Sequence, residues 1–241
     1  MKRTRFFVIA LAVFLGTALS AQETPVCTIP GATVLDAGSL RGKYKDDVKL
    51  LNLSDKTDLL FSVYFYEPQK KDWIFYGRGK VSHYYDSESL DSLYEDRIRN
   101  FRYFAIVPEN GTDFLYTLDA RHNDLYIHIA AAAPVDDEER KQNAVVFDTY
   151  EVKGRFYDDI EFINCTQDEN ILFWVYAFND KSEPWQKIGA AKVDKLNDSE
   201  SVDTPVKNLS SYRYFAVAAD NGKQYSYQIK KHDGDLCFYV R

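Results

Sequence analysis

Two stretches carry three carboxylates each at one spacing, Asp86-x-Glu88-x-x-Asp91 and Asp198-x-Glu200-x-x-Asp203. Calcium takes six to eight oxygens from carboxylates, carbonyls and water. These paired acidic loops are therefore the candidate metal sites, and calcium is the one candidate cofactor. Neither loop has the spacing or the glycine of an EF-hand, and a solvated polar loop is the plainer reading of both. Trp73 and Trp185 each follow a polar loop. Exposed, they would stack on the face of a sugar; buried, they would fill a core, as the tryptophan of many sandwich domains does. The core reading is the expectation, with Trp73 the better buried because Phe75 follows it where Lys187 follows Trp185. Arg102 and Arg213 alternate with aromatic residues. They would either contact an anion or partner, or snorkel over the sheet and pair with a carboxylate such as Asp46 or Asp47 and its counterpart.

Catalytic motifs are not evident. His83, His122, His128 and His232 show no metal-ligand spacing. No serine lies in a Gly-x-Ser-x-Gly elbow, no cysteine sits in a nucleophile motif, and no glycine-rich phosphate loop occurs. The expectation is a protein that is not an enzyme.

The elements that would position these residues occur twice. Asn100-Phe101-Arg102-Tyr103-Phe104-Ala105-Ile106 reads again as Ser211-Tyr212-Arg213-Tyr214-Phe215-Ala216-Val217. Gly42 matches Gly154, Asn52 matches Asn164, Trp73 matches Trp185 and Lys80 matches Lys192, at an offset that shortens by one residue late in the repeat. Self-similarity of this kind sets the architecture. Leu59, Phe61, Val63 and Phe65 alternate with more polar neighbours, as do Ile171, Phe173, Val175 and Ala177, so both sets belong to buried strand faces. Leu60 and Tyr64, with Leu172 and Tyr176, predict that the opposite face is partly covered too.

In the first copy, strands are expected at residues 44–53, 58–66, 73–82, 100–107, 112–120 and 124–130. Asn110-Gly111 and Asn221-Gly222, then His122-Asn123 and Asp233-Gly234, are hairpin signals that predict an antiparallel meander for the last three strands. The fold class is all-β: two tandem homologous antiparallel β-sandwich modules, immunoglobulin- or fibronectin-like in strand count and length. A single closed barrel of a dozen strands is the second choice. The modules span residues 40–130 and 146–241, joined by a linker at 131–145. A proline- and glycine-containing lead-in at 22–39 precedes them.

Lys2, Arg3 and Arg5, the apolar run Phe6–Leu19 and the small residues to Ala21 have the pattern of a signal peptide over residues 1–21. The run is shorter than the roughly 20 residues of a membrane span. Its removal takes three positive charges from a chain of 30 basic and 37 acidic residues, so −7 becomes −10. That sign disfavours nucleic acid and anionic membranes, and no membrane span is expected after cleavage. Three cysteines, Cys27, Cys165 and Cys237, allow one disulfide, Cys165–Cys237, or free buried thiols. Asn52, Asn110, Asn164, Asn197 and Asn208 head glycosylation sequons. The expectation is a secreted, periplasmic or cell-surface protein that binds a protein or glycan partner, supports adhesion or builds the envelope. A carbohydrate- or calcium-dependent recognition protein is the alternative, and a small outer-membrane barrel the last choice.

Overall fold

The computed structural model describes residues 24–241 apart from 91, 93, 111, 112, 133–136, 151, 153–155 and 157; the side chains of 95 and 96 are also left aside. The leader and Asp91 lie outside the described residues. The first part of the chain forms β1 (Thr33–Asp36), β2 (Tyr44–Asn52), β3 (Leu59–Glu67), β4 (Asp72–Val81), β5 (Ser87–Ser89), β6 (Tyr103–Pro108), β7 (Phe114–Arg121) and β8 (Asn123–Ala131). A short helix, α1 (Glu138–Gln142), follows. Then come β9 (Val145–Asp148), β10 (Ile160–Asn164), β11 (Ile171–Phe178), β12 (Gln186–Val193), β13 (Ser199–Ser201), β14 (Tyr214–Ala219), β15 (Tyr227–His232) and β16 (Asp235–Val240).

The protein is all-β, with four open four-stranded sheets. Their orders are β1-β6-β3-β4 and β5-β2-β8-β7, then β9-β14-β11-β12 and β13-β10-β16-β15. Each pair of sheets closes over its own core, so two sandwich-like units result and no described sheet closes into a barrel. Phe61, Val63, Phe65, Phe104, Leu125 and Ile127 fill the first core. Phe162, Phe173, Val175, Phe215, Leu236 and Phe238 fill the second. The alternating residues of β3 and β11 all point inward, as their period of two requires.

Two expectations about connectivity are corrected. The sheets are not purely antiparallel: β2 runs parallel to β8, and β10 to β16. The chain reverses at each of the six connections from β2 to β8, and an even number of reversals restores the direction. The last three strands are also not a meander. The backbone edges of β6 are already taken by β1 and β3, so β7 crosses to the other sheet and pairs with β8. Asn110 and Asn221 therefore mark crossovers between sheets. The turns at His122-Asn123 and Asp233-Gly234 do close hairpins, with φ of 51° and 74° in the first and 48° and 107° in the second.

A bulge shifts the register between Val63 and Tyr64, and again between Val175 and Tyr176. Tyr76 and Ile188 are the extra residues, and both turn into the cores. Trp73 and Phe75 consequently share the outer face with Tyr66 and Tyr64, while Gly77 pairs with Val63 across the bulge. The second faces of β3 and β11 are covered, as Leu60, Tyr64, Leu172 and Tyr176 suggested. Cys27, Ile29 and Ala32 lie over Trp73, Tyr103 and Ala105 on the first unit. Ala144 and Tyr84 lie against Trp174, Tyr176, Phe178 and Tyr214 on the second.

Asn52 and Asn164 close matching turns from inside the protein. Asn52 donates to the Lys56 carbonyl at 2.8 Å and accepts from the Ser54 amide at 2.9 Å. Asn164 donates to the Asp168 carbonyl at 2.8 Å and accepts from the Thr166 amide at 2.9 Å. Both are fully buried, so neither sequon is open to a glycan in the folded protein. All three cysteines are free thiols, and no Cys165–Cys237 bridge forms. Burial pushes the Cys237 thiol up to about 12, which makes it a poor nucleophile.

At Gly189 another backbone segment approaches closely. A Cβ there would stand 2.0 Å from the Asp203 carbonyl oxygen and 2.8 Å from Val202 Cγ1. Gly189→Ala should therefore separate β12 from the segment at 202–203 and cost about 1–3 kcal/mol in chemical denaturation. Wild-type stability would refute this close packing.

Candidate functional site

The residues singled out in the sequence go mainly to structural work. Asp86 accepts the Ser82 amide and Asp198 accepts the Asp194 amide, the latter at 2.8 Å, so each closes a turn. Glu88 and Glu200 lie in the edge strands β5 and β13 and not in loops. Asp203 faces His83 of the other unit at 3.7 Å. Among the described residues, no three His, Cys, Asp or Glu side chains converge as a metal cage.

Arg102 makes a bidentate contact with Asp36, at 2.9 and 2.8 Å, and its guanidinium lies 4.8 Å from the Tyr103 ring. Arg213 does the same with Asp148, at 3.1 and 2.7 Å, and lies 4.8 Å from the Tyr214 ring. The expected partners, Asp46 and Asp47, are corrected to Asp36 and Asp148. Those aspartates end β1 and β9, opposite Tyr103 and Tyr214. Each arginine thus pins an edge strand in register, and its hydrogen bonds hold the aspartate below the usual carboxylate range. Trp73 is 8% exposed, but it lies outside the sandwich core, on the outer face, where its Nε1 donates to the Val26 carbonyl at 3.0 Å. Trp185 is half-buried and stacks on Phe178, with ring centroids 5.2 Å apart. The first tryptophan is the better buried, as expected, but for a different reason: the lead-in covers it.

A dense cluster of charged and aromatic side chains lies between the two units. Trp174 of β11 is fully buried, and two cations sit on its ring, Arg140 of α1 at 4.3 Å and Lys187 of β12 at 4.8 Å. Carboxylates from three segments tie these cations down. Lys187 Nζ is 2.6 Å from Asp55 of the first unit and 3.0 Å from Asp137 beside α1. Arg140 reaches Asp55 at 3.3 Å, Asp137 at 3.1 Å and Asp220 at 3.1 Å. Trp174 Nε1 donates to the same Asp220 oxygen at 2.9 Å. Tyr84 of the first unit lies 6.2 Å from the Trp174 ring and 5.2 Å from Lys187 Nζ. The Asp55 side chain is 9% exposed and that of Lys187 19%, so water screens these pairs little.

Beside this clamp lies a cleft of about 310 Å³. Thr57 and Asp58 form its wall on the first unit; Asn170, Leu172, Lys192, Asp220 and Asn221 form the other. Asp58 and Asn170 hold corresponding places before β3 and β11, both with positive φ, 53° and 57°. In the first unit Lys80 pairs with Asp58 at 2.7 Å. Lys192 is the matching lysine, but its own unit offers it an amide at 170 in place of a carboxylate. It reaches across to Asp58 at 3.5 Å. Hydrogen bonding to Lys80, with Lys192 adding, holds the Asp58 carboxyl below the usual range.

Asp55, Asp58, Arg140, Trp174, Lys187 and Lys192 were not among the sequence candidates. The available signal was divergence between the two matched stretches of sequence: Ser62 against Trp174, Arg78 against Ala190, Asp58 against Asn170. Comparison of the chain with protein-family models, with curated proteins and with solved structures finds no match to any of them. No described helix is long and apolar enough to cross a membrane.

Two measurements check this junction. Lys187→Met leaves Asp55 and Asp137 short of a cation in a poorly hydrated place, and should cost about 3 kcal/mol in urea unfolding; a loss under 0.5 kcal/mol would show that the clamp does not hold. Burial, opposed by His83 and helped by Asp86 and Glu200, pushes Asp203 up to about 6. The folded state therefore favours the protonated acid, and this stabilisation is lost as pH rises through about 6. The melting temperature should fall between about pH 4 and pH 6, and Asp203→Asn should flatten that fall. An unchanged pH profile in the variant would remove Asp203 as its source.

Proposed function

We propose that this chain is an exported, non-catalytic binding protein of the adhesion or envelope-associated kind, built from two copies of one immunoglobulin- or fibronectin-like sandwich. The shared strand orders support the duplication, as do the matched pairs Arg102–Asp36 and Arg213–Asp148. Pairing of β2 with β5 and of β3 with β6 corresponds to the B–E and C–F neighbours of immunoglobulin domains; the last two strands instead join the sheet of β2. The leader-like head supports a secreted, periplasmic or cell-surface location.

The observation that carries the binding reading is the polar cleft at the junction, held open between two units by the clamp. Ligand sites favour such domain interfaces. A glycan or a protein loop would suit it, and of the alternatives a carbohydrate-recognition role draws on the same cleft. Calcium dependence has less support, because Glu88 and Glu200 belong to edge strands. The open sheets and aromatic cores speak against the outer-membrane barrel.

Expression of the full chain in a bacterial host, followed by fractionation and intact mass measurement, tests the export half. The expected product lies outside the cytoplasm and lacks residues up to about Ala21; an unprocessed cytoplasmic chain would contradict it. For binding, the mature protein should retain ligands on glycan and peptide arrays. Silence on both would defeat the reading.

A further inference from the structure

The cleft between the units has a composition that narrows its ligand. Its charges are already balanced by the protein. Asp58 faces the ammonium groups of Lys80 and Lys192, both through Oδ1. Asp220 faces the Arg140 guanidinium and Trp174 Nε1, again both through Oδ1. A cationic ligand would meet Lys192, with Arg140 already holding Asp220, and an anionic one would meet Asp58 and Asp220. Desolvating either would cost more than these pre-paired groups return. An apolar ligand would strand the polar lining without partners.

A neutral molecule with many hydroxyls meets none of these objections. The contacts above leave Oδ2 of both carboxylates outside them, with the two side chains 45% and 41% exposed. Each Oδ2 can accept from a hydroxyl. The Lys192 ammonium and the Asn170 amide can donate to the neighbouring hydroxyl oxygen, and such alternation of acceptor and donor matches a vicinal diol. Leu172, 7% exposed, supplies an apolar floor for the C–H face of a ring. The volume of about 310 Å³ lies at the small end of ligand pockets. It suits one or two sugar rings.

Resting on the binding reading above, we infer that this cleft binds a short neutral saccharide, a mono- or disaccharide unit, held by Asp58, Asn170, Lys192 and Asp220. This site is separate from Trp73 and Trp185. Neither residue lines it.

The test is titration calorimetry on the mature protein, residues 22–241, with maltose, cellobiose, lactose, trehalose and chitobiose, and with citrate and spermidine as charged comparisons. At least one disaccharide should bind, and citrate and spermidine should not. Lys192→Met should weaken that binding at least tenfold. Asn170→Asp should also weaken it, because the new carboxylate draws Lys192 back to its own unit while the fold keeps a charge pair there. Melting curves of both variants show that they are folded, and Lys230→Met, on the exposed strand β15, should bind as wild type. Binding of a sugar that neither folded variant disturbs would overturn this location and leave the binding reading standing. So would tighter binding of citrate or spermidine than of any sugar. No disaccharide binding, with arrays that still capture a peptide, would overturn the saccharide class alone; silence on the arrays as well would remove the reading beneath it.

Discussion

The arrangement of the two units depends on one indole against which two cations rest. Trp174 is buried, and Arg140 and Lys187 reach it from different segments. Neither cation could be brought out of water without counter-charge. Asp55, Asp137 and Asp220 supply it, one from the first unit, one beside α1 and one from the second. The result ties three parts of the chain at one point. Removing Asp55 or Asp137 takes one partner from both cations, and removing Asp220 takes one from Arg140 and from the indole N–H. Removing the indole takes away the surface on which both cations rest.

The place in the first unit that aligns with the junction is built differently. There Ser62 and Arg78 both contact Glu109 on the outer face. In the second unit Trp174 stands in the place of Ser62, Ala190 in that of Arg78, and Asp220 in that of Glu109. The hydrogen bond to the carboxylate is kept, while the arginine gives way to a small residue over which another segment can lie. The exchange of Asp58 for Asn170 acts in the same sense, because it sends Lys192 across the gap. A few side-chain differences separate a sheet face covered by the lead-in from one that meets the other unit with a polar cleft at its border.

Most strands were legible in the sequence because their burial has a period of two. Leu59, Phe61, Val63 and Phe65, and their counterparts in β11, fix both cores. β1 was hidden by its length and by Pro30 and Gly31 before it; without it the partner of Arg102 could not be named. β5 and β13, both Ser-Glu-Ser, carry no apolar residue to show alternation. The Asn-Gly signal marked real reversals but could not say which strands pair, since pairing depends on which backbone edges are free. The bulges at Tyr76 and Ile188 escaped for a related reason: one inserted residue reverses a face without altering composition. The junction left only a faint trace, since contacts between units have no sequence period.

The central claim is that the clamp makes one rigid body of two sandwiches. Backbone ¹⁵N relaxation of the mature protein tests it most directly. Amides in β2–β8 and in β10–β16 should share one rotational correlation time, that of the whole chain. Separate, shorter correlation times for the two units would show that they move independently and would contradict the account.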